Sequence, residues 1–202
     1  INVIKARKFK QIKKIILVYN KKDSKRVKSL KLKNVKLVLG GKNRQQSAFK
    51  ALKHLNNTKG ISKVLIHDVA RPNFSLKLFS SIIRNMRNAR AVVPKINISD
   101  AVKQKIDTSK YEYIVGKNRD NLFLTQTPQA FILKEIYHLH KTNAVKYRDD
   151  DVSLYMDLNK IKFVEGEKNN FKITEQSDFQ NLKNIYKSKQ SVGIGFDVHR
   201  LV

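Results

Sequence analysis

Three short stretches hold the residues best suited to chemistry. In "HDVARP" (67–72), Asp68 follows the apolar run "KVLI", and Arg71 lies three positions further on, ahead of a Pro. A carboxylate at the C-terminal end of a strand can hold Mg²⁺ through oxygen, and a guanidinium can clamp a phosphate through two hydrogen bonds. The plain alternative is an Asp that caps the next turn with an Arg paired to it on the surface. In "GGKNRQQS" (40–47), Gly40 and Gly41 permit a sharp turn and close approach of a ligand to the backbone. Ser47 and helix N-terminal amides there can donate to a base, ribose or phosphate, although a strand-to-helix turn that binds nothing uses the same residues. The third stretch is "VGIGFDVHRLV" (192–202). Asp197 and His199, two apart on a strand, point the same way and could ligate one metal ion; a polar pair on an ordinary edge strand has the same spacing. His138 and His140, two apart on a helical pattern, fall on different faces and read as packing or surface residues.

These residues need elements to position them. Strand-length apolar runs at 13–20, 35–41, 63–70 and 89–96 alternate with helical patterns at 24–32, 44–56 and 75–87. Such alternation predicts an α/β fold, a mainly parallel sheet with helices on both faces. Right-handed crossovers bring every strand's C-terminal end to one rim, where ligands bind, and both "GGKNRQQS" and "HDVARP" fall on that rim. From 98 to 131 the pattern changes to a β hairpin followed by a loop around Pro128. An inserted β arm of this kind serves as a dimerisation or lid element. Helices are expected again at 132–141 and 150–159, the latter capped by Asp150 or Asp151. Strand-like "IKFVEGE" and "NNFKIT" and a helix over 175–189 follow.

A chain of 202 residues, 41% hydrophobic and 29% charged, has room for one domain with a real core. No cysteine is present, so disulfides and thiolate metal sites are excluded, which is compatible with a reducing, cytoplasmic setting. No apolar run approaches the ~18 residues of a membrane span. The net charge of +27 would suit a basic nucleic-acid-binding α/β domain. The lysines, however, are dispersed along the chain, without an aromatic RNA-binding signature or zinc-finger spacing, so no specific nucleic acid is expected. A basic field also attracts small phosphorylated substrates. The chain begins with Ile1 and ends three residues after His199, from which a fragment of a longer product is expected.

Taken in order, "GGKNRQQS", "HDVARP", "SDAVK", "NRDNLFLTQTPQAF", "DDDVS" and "VEGEKNNFKIT" resemble the 2-C-methyl-D-erythritol 4-phosphate cytidylyltransferase family of the non-mevalonate isoprenoid pathway, from about residue 10 to about residue 188. The resemblance implies a Rossmann-like nucleotidyltransferase fold over 1–189, with its β arm at about 98–122. It also implies transfer of a cytidylyl group from CTP to methylerythritol phosphate with Mg²⁺, in a homodimer joined through the arm. The competing reading is the basic nucleic-acid-binding α/β domain, and a module that binds nucleotide without catalysis is a third class. By the same resemblance, Gly40, Gly41 and Ser47 hold the cytidine, Asp68 holds the metal, and Arg71 meets the substrate phosphate. Arg119 grips that phosphate from the partner subunit, Thr127 lies beside the substrate, and Lys172 matches the lysine of the "NxKxT" segment.

Three departures stand out. The family's Gly-rich phosphate loop on the first strand-to-helix connection is absent from this sequence, so little activity is expected of the chain alone. Ala101 replaces a Thr that would donate to the substrate phosphate, and Asp149 replaces another Thr and adds charge beside it. The final stretch, 190–202, resembles the opening strand of 2-C-methyl-D-erythritol 2,4-cyclodiphosphate synthase. Asp197 and His199 would there be two ligands of an incomplete site for a divalent metal such as Zn²⁺. A bifunctional parent, also a lyase, is implied.

Overall fold

The computed structural model describes residues 1–107, 112–143, 149–155 and 161–187. After a short helix α1 (Asn2–Ala6), the chain forms β1 (Ile15–Tyr19), α2 (Ser24–Ser29), β2 (Val35–Leu39) and α3 (Arg44–Asn56). Then come β3 (Lys63–Ile66), α4 (Leu76–Asn85), β4 (Ala91–Asn97) and the hairpin β5 (Val102–Asp107) and β6 (Glu112–Lys117). The remainder comprises β7 (Phe123–Thr125), β8 (Gln129–Ile132), α5 (Leu133–Thr142), β9 (Ile161–Glu165) and α6 (Gln176–Lys187).

Local chemistry explains where the central helices begin. The Asn43 side chain accepts from the Gln46 amide (2.8 Å) and starts α3, and the Ser75 hydroxyl accepts from the Leu78 amide (2.9 Å) to start α4. Each cap satisfies an amide that the helix itself leaves open. The 44–56 expectation is met to the residue, and the strand and helix at 89–96 and 75–87 to within a few.

The sheet is α/β in the expected sense, with two reversed strands, β7 and β8, both antiparallel to β4. β1 and β2 pair in parallel, Ile15 opposite Val35. β3, β4 and β9 share one direction, while β8 runs antiparallel between β3 and β4. Alternation along β4 and β8 sends side chains to two separate cores. Ala91, Val93 and Phe131 pack with α3 and α5 on one face; Val92 and Ala130 pack with Phe79 and Ile82 of α4 on the other. Helices therefore cover both faces. The arm forms as expected, β5 antiparallel to β6 with Val102 opposite Lys117.

β7 and β8 flank Pro128 where only a loop is expected, and two further segments differ from expectation. "NNFKIT" forms no strand; its backbone is tied instead to loops at the rim, Ile173 N donating to Ala70 O (2.9 Å). The helix expected from 150 is only a 3₁₀ turn, Val152–Leu154, among the described residues. Asp151 stands at the N-cap of this turn without a side-chain bond to it, while the Asp150 carboxylate accepts from the Ser153 amide (3.0 Å). No described ladder joins the β1–β2 pair to the larger sheet. A largely apolar cleft of about 920 Å³ separates β1 from β3, lined by Ile15, Leu17, Val64 and Ile66, and its lining extends to Arg44 and Asp68. None of the described helices is long and apolar enough to cross a membrane. Asp197 and His199 lie outside the described residues.

Candidate functional site

β3 ends at Ile66, so Asp68 emerges at the C-terminal edge of the sheet, as the alternation of elements requires. A tight turn follows, Arg71 N donating to Asp68 O (3.0 Å), and it returns the Arg71 side chain to the carboxylate three residues back. Arg71 Nε stands 3.9 Å from Asp68 Oδ2 and Lys172 Nζ stands 3.4 Å from the same oxygen. On the other side, Arg44 Nε lies 3.6 Å from Asp68 Oδ1. One carboxylate thus sits among three cations. Arg71 Nε is buried yet has no hydrogen-bond partner among the described residues, a donor left over for an incoming oxygen. Burial pushes the Arg71 pKa below its ordinary value, and Asp68 partly offsets the effect.

The irregular segment after β9 delivers Lys172. Gln126, buried between β7 and β8, donates to Glu167 O (2.9 Å) and accepts from Glu167 N (3.0 Å). Asn170, fully buried, donates to Thr127 O (2.9 Å), and its own carbonyl accepts from Arg71 Nη1 (2.8 Å). These bonds replace the ladder that a strand would have supplied, and they leave Lys172, 45% exposed, over Asp68. Thr127 is 4% exposed, and its hydroxyl accepts from the Asp68 amide (3.0 Å) and contacts His67 Nδ1 (3.0 Å). Burial lowers His67 from 6.5 to about 4, so its imidazole is neutral at pH 7.

Across the rim, Gly40 and Gly41 approach their own chain closely. A Cβ at Gly41 would lie 2.4 Å from Gln46 Cβ, and one at Gly40 would lie 3.0 Å from Ser47 Oγ. The Ser47 hydroxyl donates to Asn43 O (2.8 Å) and accepts from Gly41 N (3.0 Å), closing the turn on the start of α3. Arg119, in a 3₁₀ turn after the arm, is exposed and donates to Ser99 O. Among the described residues of this single chain it makes no ion pair with Asp68. Ala101 and Asp149 are both exposed.

Sequence reasoning missed a buried network beside this group. Arg44 Nη2 is bonded to Asp151 Oδ2, and His140 Nε2 donates to Asp151 Oδ1 (2.9 Å); Asp151 and His140 are almost wholly buried. Burial works to release the Arg44 proton, but Asp151, with smaller help from Asp68 and Asp150, outweighs it and holds the guanidinium more firmly protonated. A signal was present: Arg44 opens α3, whose first turn has no acid, and a cation at a helix N-terminus opposes the helix dipole. Such a residue needs a carboxylate from elsewhere, and "DDDVS" supplies it.

A family model described as "IspD: 2-C-methyl-D-erythritol 4-phosphate cytidylyltransferase" matches residues 2–188. A bifunctional enzyme IspD/IspF of Pelagibacter ubique (strain HTCC1062) is 41% identical over 203 residues, covering 100% of this chain and 52% of that protein. A 2-C-methyl-D-erythritol 4-phosphate cytidylyltransferase of Clostridium kluyveri (strain NBRC 12016) is 40% identical over 167 residues, 79% of this chain and 68% of the relative. The crystal structure of 4-diphosphocytidyl-2C-methyl-D-erythritol synthase from Anaerococcus prevotii DSM 20548 superposes with a TM-score of 0.78 at 35% identity, covering 93% of this chain and 84% of that one. The chain spans about half the length of the bifunctional relative it matches over its whole extent.

Proposed function

Since the chain belongs to the 2-C-methyl-D-erythritol 4-phosphate cytidylyltransferase family, we propose that its rim binds CTP and methylerythritol phosphate and joins them. The substrate phosphate oxygen attacks the α-phosphorus of CTP, a new P–O–P bond forms, the bond to the β-phosphate oxygen breaks, and pyrophosphate leaves. A phosphate dianion already carries its nucleophilic charge, so the protein needs no general base. Its work is to align and neutralise two anions. The observation that carries this reading is the convergence of Asp68, Arg71 and Lys172 from segments about 100 residues apart in sequence.

Arg71 and Lys172 neutralise phosphate charge, and the open Arg71 Nε–H gives one of them a direction. Gly40, Gly41 and Ser47 shape the turn against which the cytidine rests. The β5–β6 arm joins two subunits, and Arg119 at its base serves the partner's substrate phosphate. Family membership brings the general expectation of a divalent metal. No group of three or more acidic or histidine side chains among the described residues could hold one alone. A single rim carboxylate suits Mg²⁺, which takes its other ligands from phosphates and water, so Asp68 is the residue that would hold it. When bound, the ion would offset charge on the triphosphate.

The test is pyrophosphate release from CTP and methylerythritol phosphate with Mg²⁺. It is run on the chain alone and on the chain supplemented with the family's Gly-rich phosphate loop. Asp68→Ala or Arg71→Ala is expected to lower kcat by roughly a hundredfold, the scale of one lost transition-state contact. Turnover that survives both substitutions removes the assignment. The relatives named as bifunctional support extending the proposal to a parent that also carries cyclodiphosphate synthase activity; a cytoplasmic setting, and Asp197 and His199 as ligands of that domain's divalent metal, belong to the same proposal.

A further inference from the structure

The hydrogen bonds around His67 admit only one direction. Arg71 O can only accept, so His67 Nε2 carries the proton in their 3.0 Å contact. A neutral imidazole then offers Nδ1 as an acceptor, and the Thr127 hydroxyl must donate to it. With its proton placed there, the Thr127 oxygen faces the Asp68 amide as acceptor (3.0 Å). The Arg71 amide closes the ring by donating to Asp68 O (3.0 Å). The Asp68 carboxylate itself accepts no hydrogen bond among the described residues, so its direction comes from this backbone ring and the cations around it.

We propose that Thr127 and His67 are positioning residues: the Thr127 hydroxyl is committed to aiming Asp68 and Arg71 and does not donate to the substrate. The proposal rests on the reading of Asp68 and Arg71 as the phosphate and metal site. Its geometry is otherwise independent of that reading. A threonine 4% exposed, with its carbonyl held by Asn170 and its hydroxyl held at both ends, has no proton left for a ligand. His67, packed edge-on against Phe74 at 4.7 Å, cannot turn to release it.

The test uses the chain as it stands. Nitrogen NMR of His67 is expected to show the Nε2–H tautomer with Nδ1 accepting a hydrogen bond, a signature that Thr127→Val removes and Thr127→Ser keeps. Calorimetric titration with Mg²⁺ and inorganic pyrophosphate is expected to show binding weakened roughly tenfold in Thr127→Val and within about twofold of the parent in Thr127→Ser. Asp68→Ala and Arg71→Ala serve as controls that lose binding. If those controls lose it while Thr127→Val does not, the proposal is overturned and the site stands. Equal weakening in the Ser and Val variants also overturns it, because the threonine methyl would then be the important group. Controls that bind as well as the parent overturn the site reading and this proposal with it.

Discussion

Breaking the Arg44–Asp151 pair should cost different amounts depending on which partner is removed, and the structure sets the order. Asp151 is completely buried and, among the described residues, its carboxylate receives only the Arg44 guanidinium and His140 Nε2, whereas the Arg44 side chain keeps 23% exposure and has Asp68 3.6 Å away. Arg44→Met leaves a carboxylate with one donor and no water. Removing one partner of a buried pair costs about 3 to 5 kcal/mol, and the partial exposure of Arg44 places this case near about 3. Asp151→Asn keeps an acceptor for His140 and leaves Arg44 with solvent and Asp68, a loss of about 1 to 2 kcal/mol. In the double variant no buried charge is left unpaired, so its cost should not exceed that of Arg44→Met alone, an interaction energy of about 1 to 2 kcal/mol. Urea unfolding at pH 7, followed by circular dichroism, measures all three. Thermal midpoints for a chain of this size should fall by about 6–12 °C in Arg44→Met. Additive losses in the double variant would refute the reasoning, since they would mean that the two side chains stabilise the fold separately.

Burial holds His67 at about 4 against 6.5 when unfolded, so the unfolded chain binds more protons between those values. Stability present above pH 6.5 should therefore drain away as pH falls towards 4, by ~3 kcal/mol in full. Urea midpoints between pH 7.5 and 4.5 with chelator present check this, and His67→Asn should flatten the profile. Gly41→Ala places a methyl 2.4 Å from Gln46 Cβ, so the turn must shift. A loss of about 1 to 3 kcal/mol in thermal unfolding and weaker CTP binding are expected, and an unaffected midpoint would show the turn to be loose. Asp197 and His199 together are too few for a closed zinc site, so dialysis against a mild chelator should leave the chain without stoichiometric Zn²⁺.

Much of the fold was legible because its signals are local. Asn43 caps a helix whose apolar residues recur at helical spacing, and both ends of α3 follow from that. β8 escaped because "QAFI" runs without a break into the apolar first turn of α5, and its antiparallel place between β3 and β4 depends on partners some 35 to 70 residues away. "NNFKIT" has strand composition, but its hydrogen bonds run to loops, Ile173 N to Ala70 O, Asn170 Nδ2 to Thr127 O and Arg71 Nη1 to Asn170 O, which no alternation pattern reports. Within the site, Asp68 and Arg71 were legible as a pair three apart at a strand end. Lys172 was legible only through resemblance, and Arg44 only as a cation on the wrong end of a helix.

The strong positive charge of the chain and the charge of its site are separate matters. Of 43 lysines and arginines, three are seen gathered around Asp68, and one of those three, Arg44, is already matched by Asp151. Arg71 and Lys172 against Asp68 leave the rim with a local excess of about one positive charge, enough to favour an anion without excluding a cation from the carboxylate. A rim with no acid would hold phosphate and repel Mg²⁺; a rim with several would do the reverse. The polar groups that line it, Ser47 and Thr127, have hydroxyls already committed within the protein. Binding strength at this rim should therefore come from guanidinium, ammonium and carboxylate groups, and the hydroxyls should act by keeping those three in register.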